Sequence, residues 1–502
     1  MMQVKTDKQG VALDPPQVYS SFGEQIIAEL IPVEQLAFHY NINTRLVTTQ
    51  ENDSGTVTQA NGMASVSSGA AATSAATLVS NRVTRHNAGQ GIFFRGTALF
   101  TTGAANSEQL IGIGDVHEGF FWGYNGTAFG VLRRDGGQKE IQTLTVTTGA
   151  ASQAGDITIN LDSVAVTVAV ANADSTTTVA QKIAAATVDD TGSGWTSVQH
   201  GQDVIFLSFD AAEKTGTFSL VDTDSTGCVG SFSQSVNGAS ATDTWVAQTA
   251  FSEDVLDGTG PSGMTLDPTK GNVFFIQFQW GFGAIQYCVE DSATGRLVLA
   301  HKIEYGNANT TPSVSNPDTH LYVEAKNTTN TTDIVVKTAS ISSFIEGIDG
   351  NRGSLVAATG TTTGVTTTEL PLVSVFVREV FNSKENHSFS RLDYLTFGAV
   401  KNTGNAAAVI IRFRVGANLG GTPAFADLDT SNSILSVDSA ASSISGGEIQ
   451  GVFLAVPDAP PITIDTIAFD YQLSPGTLFT ITAEAVANTV DVTASLSFTD
   501  LI

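Results

Sequence analysis

The stretch GQGIFFRGTALFTTGAANSEQLIGIGDVHEGFFWGYNGTAFGVLRR, residues 89–134, decides the fold class of this chain. Short apolar runs alternate there with polar or glycine-containing turns, and they predict four consecutive strands at 94–100, 109–114, 119–124 and 127–132. The pair Asn125-Gly126 falls between the last two runs. This dipeptide favours a two-residue hairpin turn whose central residues both have positive φ. The stretch therefore predicts an antiparallel β-meander.

Composition extends this prediction to the whole chain. A length of 502 residues suggests about two to four domains. The apolar fraction of 41% is enough to build cores, whereas charged residues make up only 14%, against roughly 25% in typical soluble domains. The surface must therefore be dominated by Thr, Ser, Asn, Gln and Gly. Such a surface suits β-strands and assemblies that bury much of it, and it argues against a helical enzyme.

Charge and hydropathy exclude several classes of partner. The formal net charge is −26 with only 23 Lys and Arg, so we expect no binding to nucleic acid. The chain has no run of about 18 apolar residues and no apolar signal-peptide core near its start, so we expect no membrane span and synthesis in the cytoplasm. Cys228 and Cys288 are expected to be unpaired, in keeping with a reducing compartment.

The Phe-rich, alternating pattern breaks after Arg134 and resumes soon after Trp245. Between them, residues 139–242 are rich in small residues and predict strands, one helix and further strands. Asp174 or Ser175 is placed to cap that helix. About a hundred residues is a common domain size, and surface turns tolerate such additions. We therefore predict that 139–242 is an α+β module inserted into a larger β-sandwich.

The ends of the chain differ from this central part. The first 35 residues contain few core residues and indicate an arm, and the Thr-rich run ATGTTTGVTTTE at 358–369 indicates a linker. Strict apolar alternation at 490–498 is typical of a strand in a second sandwich. The predicted fold class is mainly β, with two jelly-roll-like β-sandwich domains, the first interrupted by a small α+β module. The predicted divisions are an N-terminal arm at 1–35, a discontinuous sandwich at 36–138 and 243–357, the inserted module at 139–242, the linker at 358–369 and a C-terminal sandwich at 370–502.

The sequence carries no complete motif for a cofactor, a metal ion or a catalytic group. DGTGPSG at 257–263 matches the letters of a dinucleotide-binding loop, but Pro261 lies inside it and a strand-like run follows, so a glycine-rich turn is the better interpretation. DTDSTG at 222–227 and DLDTSNS at 427–433 lack the Glu that closes an EF-hand loop, and we interpret both as turns. The sequence predicts no cofactor, no metal site and no catalytic residue.

A pair of carboxylates stays open as an alternative, since a glycosidase needs only two at a suitable separation. Among the 49 acidic residues, four lie beside strands of the predicted first sandwich, namely Asp115, Glu118, Glu290 and Asp291. A catalytic role for any of them would make the chain a polysaccharide-degrading enzyme. We favour solvated or turn positions for all four, because no local pattern sets them apart.

Trp122 and Tyr124 are the candidate carbohydrate-binding residues. They are two positions apart on a predicted strand, so their rings share one face and could stack on a sugar. The alternative is that this face is the core, and we favour it because aromatic side chains dominate protein cores.

Long blocks of the sequence resemble virion structural proteins of tailed bacteriophages and large DNA viruses. The blocks are GQGIFFRGTALFTTG, EGFFWGYNGTAFGVLRR, LDGTGPSGMTLDPTKGNVFFIQFQWGFGAIQYCVEDSATGRLVLAHKIEY and NANTTPSVSNP. The resemblance covers most of the chain to about residue 350 and implies a sandwich similar to concanavalin-like lectins and laminin-G domains. It implies a fibre, spike, neck or capsid-surface protein of the virion. It transfers no functional residue.

Three functions follow as hypotheses. The first is a non-enzymatic virion component that assembles into a homo-oligomer, for example a trimer, and contacts other virion proteins. The second is a lectin-like protein that attaches to glycans on the host surface. The third is a polysaccharide-degrading spike. We expect the first, located in the virion, without cofactors.

Overall fold

The computed structural model describes residues 18–19, 25–26, 29–187, 193–347, 353–403, 408–467 and 471–501. The fold is mainly β, and the strand pairs in its sheets are antiparallel. The chain divides into a first unit, Met1–Gly136 with Thr242–Gly350, and a second unit, Gly137–Ala241 with Asn351–Ile502. Within the described ranges, no helix is long and apolar enough to cross a membrane.

The strands follow one another closely along the chain. Those before residue 137 are β1 (Val18–Tyr19), β2 (Gln25–Ile26), β3 (Leu30–Ala37), β4 (Val47–Asn52), β5 (Thr56–Ala60), β6 (Met63–Ser67), β7 (Ala75–Ser80), β8 (Ile92–Phe100), β9 (Ser107–Gly114), β10 (Gly119–Asn125) and β11 (Ala128–Asp135). Residues 137–241, the inserted module, contain β12 (Ile141–Thr148), β13 (Gly155–Leu161), β14 (Val164–Val170), helix α1 (Thr176–Thr187), β15 (Trp195–His200), β16 (Asp203–Ser208), β17 (Ser219–Asp222) and β18 (Val229–Val236).

The first unit then resumes. Its remaining elements are β19 (Thr242–Ala247), a short 3-10 helix (Gln248–Ala250), β20 (Asn272–Phe278), β21 (Ile285–Asp291), β22 (Arg296–Ile303), β23 (Leu321–Asn327), β24 (Val335–Thr338) and β25 (Ser340–Glu346). The C-terminal module, residues 353–501, contains β26 (Ser354–Val365), β27 (Leu370–Val377), β28 (Val380–Phe381), β29 (Lys384–Glu385), β30 (Phe389–Thr403), β31 (Val409–Gly420), β32 (Ala426–Asp427), β33 (Leu435–Asp438), β34 (Ser443–Ala455), β35 (Ile462–Asp465), β36 (Gln472–Leu473), β37 (Leu478–Ala485) and β38 (Thr489–Leu501).

Two large sheets build the core of the first unit. One has seven strands in the order β19-β11-β10-β9-β23-β7-β4. The other has nine, with β22-β21-β20-β8-β24-β6-β5 in sequence, β25 beside β8, and β3 beside β25. Apolar side chains of both sheets meet in one core, whose fully buried aromatic residues are Phe94, Phe100, Phe120, Trp122, Phe274, Phe278 and Tyr287.

The four strands predicted from residues 89–134 are present as β8 to β11. The hairpin turn differs in one respect from the prediction. Asn125 pairs with Ala128, so the central residues of the turn are Gly126 and Thr127, and of these only Gly126 has positive φ, at 60°. Asn125 is thus the last residue of β10, because its ladder pairing with Ala128 fixes it in the extended conformation.

The arm predicted at 1–35 ends earlier than expected. Its last residues belong to β3, which pairs with β25 and packs Ile31 and Val33 against the core. This burial of apolar side chains explains why the segment is a strand. Before residue 29, the described residues are β1 and β2, which pair with each other, and the rest of the predicted arm lies outside the described residues.

The inserted module leaves and rejoins the first unit at neighbouring points. Asp135 at the end of β11 pairs with Thr242 at the start of β19. The module itself has a four-stranded sheet, β15-β16-β12-β18, a three-stranded sheet, β14-β13-β17, and α1. Of the two predicted helix caps, Ser175 accepts the N–H of Thr178 through its Oγ at 3.1 Å and is the N-cap.

The C-terminal module also has two sheets with a shared core. Their orders are β26-β38-β30-β35, with β36 on β30, and β32-β33-β27-β37-β31-β34. The linker predicted at 358–369 is wrong, since residues up to Val365 belong to β26 and pair with β38. Ala358 and Val365 are buried while Thr359 and Thr361 are exposed, so the Thr-rich run is a strand with one buried face.

Candidate functional site

The rings proposed for carbohydrate binding lie in the core of the first unit. Trp122 is fully buried, and its Nε1–H donates to the carbonyl oxygen of Phe275 at 3.1 Å. Its ring centroid lies 5.2 Å from that of Phe274 and 5.6 Å from that of Tyr287. Tyr124 is buried in the same core. Neither ring offers a face to solvent, so these two candidate residues do not form a sugar platform, and the structure has them in the core, the alternative that the sequence favours.

The four candidate carboxylates form two separate pairs, one beside each of the two large sheets of the first unit. Asp115 and Glu118 belong to the turn between β9 and β10, whereas Glu290 and Asp291 end β21. Asp115 Oδ1 accepts the N–H groups of His117 and Glu118, at 2.7 and 3.1 Å. Asp291 accepts the N–H of Ala293 at 3.0 Å and the hydroxyl of Thr294 at 2.7 Å. Both aspartates therefore stabilise turns.

Glu118 connects its turn to a second loop. Its carboxylate accepts the N–H groups of Ser315 and Asn316, the latter at 2.8 Å. Burial raises the pKa of Glu118 to about 7, and the neighbouring Asp115 charge adds to this effect. A carboxyl with such a pKa could move a proton at neutral pH, but here both of its oxygens are used to hold backbone. The geometry therefore favours a structural role.

The three glycine- and aspartate-rich motifs are turns, as predicted. In the 257–263 segment, Asp257 accepts the N–H of Thr259 at 2.8 Å, and Asp254, just before the segment, accepts that of Ser262 at 2.8 Å. The next element along the chain is strand β20. Asp222 accepts the N–H of Thr226 at 2.7 Å, and Asp429 accepts that of Ser431 at 2.8 Å. Each of these carboxylates satisfies backbone donors of its own loop.

Strand β34 forms an edge of the six-stranded sheet in the C-terminal module. It is 13 residues long and pairs with β31 on one side. On the other side, no strand of the described part of the chain pairs with it. Its sequence, SISGGEIQGVFLA, contains one charged residue, Glu448, and no Lys or Pro. Lysines, prolines and bulges are the usual devices that stop an edge strand from pairing with another chain. Strand β34 has a register shift opposite Phe413 and Arg414, and residues 451–455 pair with β31 in unbroken register.

An exposed apolar patch lies on the outer face of this edge. Val452, Leu454 and Val456 alternate along the chain and are 57%, 59% and 56% exposed. Ile410 of β31 pairs with Leu454, so it lies on the same face. Val486 is 56% exposed. Its N–H donates to the carbonyl oxygen of Ala408, so Val486 lies at the same end of the sheet. We call these five side chains the apolar edge patch.

Ion pairs border the apolar edge patch. Arg412, which pairs with Val452 in the sheet, binds Glu484 at 2.7 Å and Glu369 at 3.4 Å. Arg414 binds Glu369 through two hydrogen bonds of 2.7 and 2.8 Å. Burial alone would raise the pKa of Glu369, but the hydrogen bonds from Arg414 and Thr482 outweigh it and lower the pKa. Two cations and two carboxylates cancel, which leaves this border neutral in a chain of net charge −26.

Sequence reasoning missed this patch, although a signal was present. The segment GVFLAV at 451–456 is a continuous apolar run, which is typical of a strand buried on both faces. In the structure Phe453 and Ala455 face the core, whereas the alternate side chains are exposed. An apolar run with one uncovered face indicates a surface that another molecule covers.

A second group of titratable residues lies where the inserted module packs on the C-terminal module. The ring of His200 lies 4.4 Å from that of Phe376 and 4.2 Å from that of Phe425. Burial lowers the pKa of His200 to about 4, and the Arg378 charge acts in the same direction. Near this contact, Lys139 of the inserted module binds Glu385 at 3.3 Å. The sequence pattern does not indicate that these two modules pack together.

Glu379 is the buried acid of this contact. Burial raises its pKa to about 8, the Glu385 charge raises it further, and Lys139 opposes them. Because the folded-state pKa lies above the ordinary value of 4.5, the unfolded chain releases this proton first, and stability falls as the pH rises from about 4.5 to 8. The substitution Glu379→Gln removes the ionisation. We expect it to stabilise the second unit by about 1–3 kcal/mol at pH 7.5 and to have little effect at pH 4.5.

Differential scanning fluorimetry of the full chain at the two pH values measures this difference. Glu213→Gln, an exposed glutamate of the inserted module, is the matched control and should leave the melting temperature unchanged at both. A melting temperature that Glu379→Gln lowers equally at both pH values would contradict the expected ionisation.

Comparison with known proteins does not assign a family. No protein-family model matches the chain, and no curated protein matches it.

Proposed function

We propose that this chain is a non-enzymatic structural component of a virus particle that acts by self-assembly and display of its β-modules. We further propose that both β-rich parts are jelly-roll-like sandwiches, the first of the concanavalin-like type. The resemblance of the sequence blocks supports the virion assignment, and the shared cores of the paired sheets support the sandwich architecture. The observation that carries the proposal is the apolar edge patch on β34.

An uncovered edge of this kind needs a partner. A long edge strand with exposed apolar side chains pairs readily with another strand, which gives aggregation unless a defined partner covers it. A second copy of the chain fits, since an antiparallel pair of identical strands is self-complementary. Two copies carry strong like charge, but the neutral border formed by Arg412, Arg414, Glu369 and Glu484 lets them approach at this place.

Charge placed in the apolar edge patch should separate the copies. We expect the double variant Val452→Lys/Leu454→Lys to weaken self-association at least tenfold, about 1.4 kcal/mol, because each interface would bury unpaired lysines from both copies. Mass photometry and light scattering over a concentration series measure the change. The matched control is Val229→Lys, at a 53% exposed position of β18 outside the patch, which should leave association unchanged.

Two results would count against the proposal. One is a monomeric wild-type chain at every concentration. The other is an oligomer that the double variant and the control affect equally, since assembly would then use a different surface.

A further inference from the structure

The outer face of the five-stranded sheet in the C-terminal module is an array of hydroxyl groups. The ladder aligns side chains in rows across β26, β38, β30 and β35. The central row is Thr359, Ser495, Thr396 and Thr463. The hydroxyls of Thr396 and Thr463 lie 3.0 Å apart, as do those of Thr361 and Thr493 in the next row. Each hydroxyl can donate one hydrogen bond and accept two, so these pairs keep capacity for a ligand.

An open groove of about 370 Å³ crosses this array. Gly398 lies at its floor, Thr493 and Ser495 lie along it, and Pro461 and Asp458 form its wall. This volume is within the range of small-ligand sites, roughly 300–1,000 Å³. Among the described residues that line the groove, Asp458 is the charged one.

The backbone does not require a glycine at position 398. A Cβ built there would lie 3.6–3.8 Å from Pro461, which is ordinary van der Waals contact. The φ angle of Gly398 is not positive, so a residue with a side chain can adopt it. Strand interiors normally disfavour glycine. The missing side chain keeps the groove open. A larger residue at position 398 should therefore fill the groove without disturbing the fold.

An exposed aromatic ring lies next to the groove on the same face. Tyr394 is two residues before Thr396 in β30 and is 43% exposed. Its cross-strand neighbours are Ser497 and Asp465. An aromatic face beside hydroxyl and carboxylate groups is the combination that sugars use, because the ring packs against their C–H groups and the polar groups bind their hydroxyls.

We propose that this face binds a neutral glycan, with Tyr394 stacking on one sugar ring and the groove over Gly398 holding a ring further along the same chain. The ligand must be neutral, since the carboxylates of Asp458 and Asp465 and the net charge of −26 repel anionic chains. It must also combine hydroxyls with apolar C–H faces, because the array offers hydroxyl groups while Val400, Ala459 and Pro461 give the groove an apolar lining. This site is independent of the apolar edge patch, which lies on the other sheet of the module.

Isothermal titration of the full chain with neutral hexasaccharides tests the site. The probes are maltohexaose, cellohexaose and mannohexaose, with hexagalacturonate as the anionic comparison. We expect at least one neutral hexasaccharide to bind and hexagalacturonate not to bind. Tyr394→Ala removes the stacking ring and Gly398→Val fills the groove, and each should weaken binding about tenfold.

Controls separate a lost site from a lost fold. Gly398→Val places a β-branched residue in a strand with room for it, so its melting temperature should equal or exceed that of the wild type. Tyr40→Ala, at an 83% exposed tyrosine of the first unit, should leave binding unchanged. The proposal is overturned if none of the neutral hexasaccharides binds, or if both site variants bind as tightly as the wild type.

Discussion

Replacing Trp122 with alanine is expected to destabilise the first unit by about 3–5 kcal/mol, the usual effect of removing a buried tryptophan. The ring belongs to β10 of the seven-stranded sheet and packs on Phe274 and Tyr287 of the nine-stranded sheet. Its Nε1–H bond to Phe275 crosses between the same two sheets. Truncation would leave a cavity at the centre of the core and remove the hydrogen bond to the Phe275 carbonyl oxygen.

Trp122→Phe separates the two contributions. It keeps most of the apolar volume and loses the hydrogen bond, so we expect a smaller loss of about 1–2 kcal/mol. Urea unfolding of the full chain, followed by hydrogen exchange in peptides from β9 to β11, reports on the first unit alone. Tyr40→Ala is the exposed control. A Trp122→Ala variant as stable as the wild type would mean that the ring is not part of the core.

The local sequence pattern predicts the meander well, because a meander pairs strands that are neighbours along the chain. The apolar runs of β8 to β11 are separated by short turns, and β9 and β10 are buried on both faces. Trp122 lies in the core, the alternative that the sequence favours over a sugar platform, and Phe120 is buried on the same face of β10. The hairpin turn was displaced by one residue, which the Asn-Gly signal alone does not resolve.

Contacts between strands that are far apart in the sequence account for the features that the sequence pattern does not predict. The Thr-rich segment of β26 has weak alternation in hydropathy, and it is a strand because β38 pairs with it from 130 residues away. The apolar run GVFLAV does not reveal that β34 lies at an edge. The exposed face around Tyr394 likewise depends on which strands lie side by side. Neither surface could be recognised before the sheet order was known.

Arg134 is expected to be the most important charged residue of the first unit. Its guanidinium is buried and makes two hydrogen bonds to Asp243, at 2.9 and 3.0 Å. It also binds Glu108 at 3.1 Å and Glu324 at 3.5 Å. Arg134 and Asp243 pair across β11 and β19, close to where the chain leaves for the inserted module and returns. One cation thus compensates three carboxylates.

Arg134→Met should therefore destabilise the first unit by about 3–5 kcal/mol at pH 8, because it leaves buried carboxylates without their cation. Burial already raises the pKa of Glu108 to about 7, and Arg134 opposes this rise. In the variant the folded-state pKa rises further above the unfolded value of 4.5. Stability that depends on a protonated Glu108 is present at low pH and is lost as the pH rises, so the loss should be smaller at pH 5.5 than at pH 8.

Urea unfolding at both pH values, again read from hydrogen exchange in β9 to β11, measures this dependence. Arg95→Met is the matched control, since Arg95 is exposed and packs over the ring of Phe275 at 5.2 Å. It should lose about 1 kcal/mol or less, equally at both pH values. Arg134→Lys keeps the charge but not the paired hydrogen bonds, and we expect an intermediate loss. If Arg134→Met is as destabilised at pH 5.5 as at pH 8, the pairing with Glu108 does not govern stability, and the contact of the guanidinium with the Phe121 ring is the main contribution of this residue.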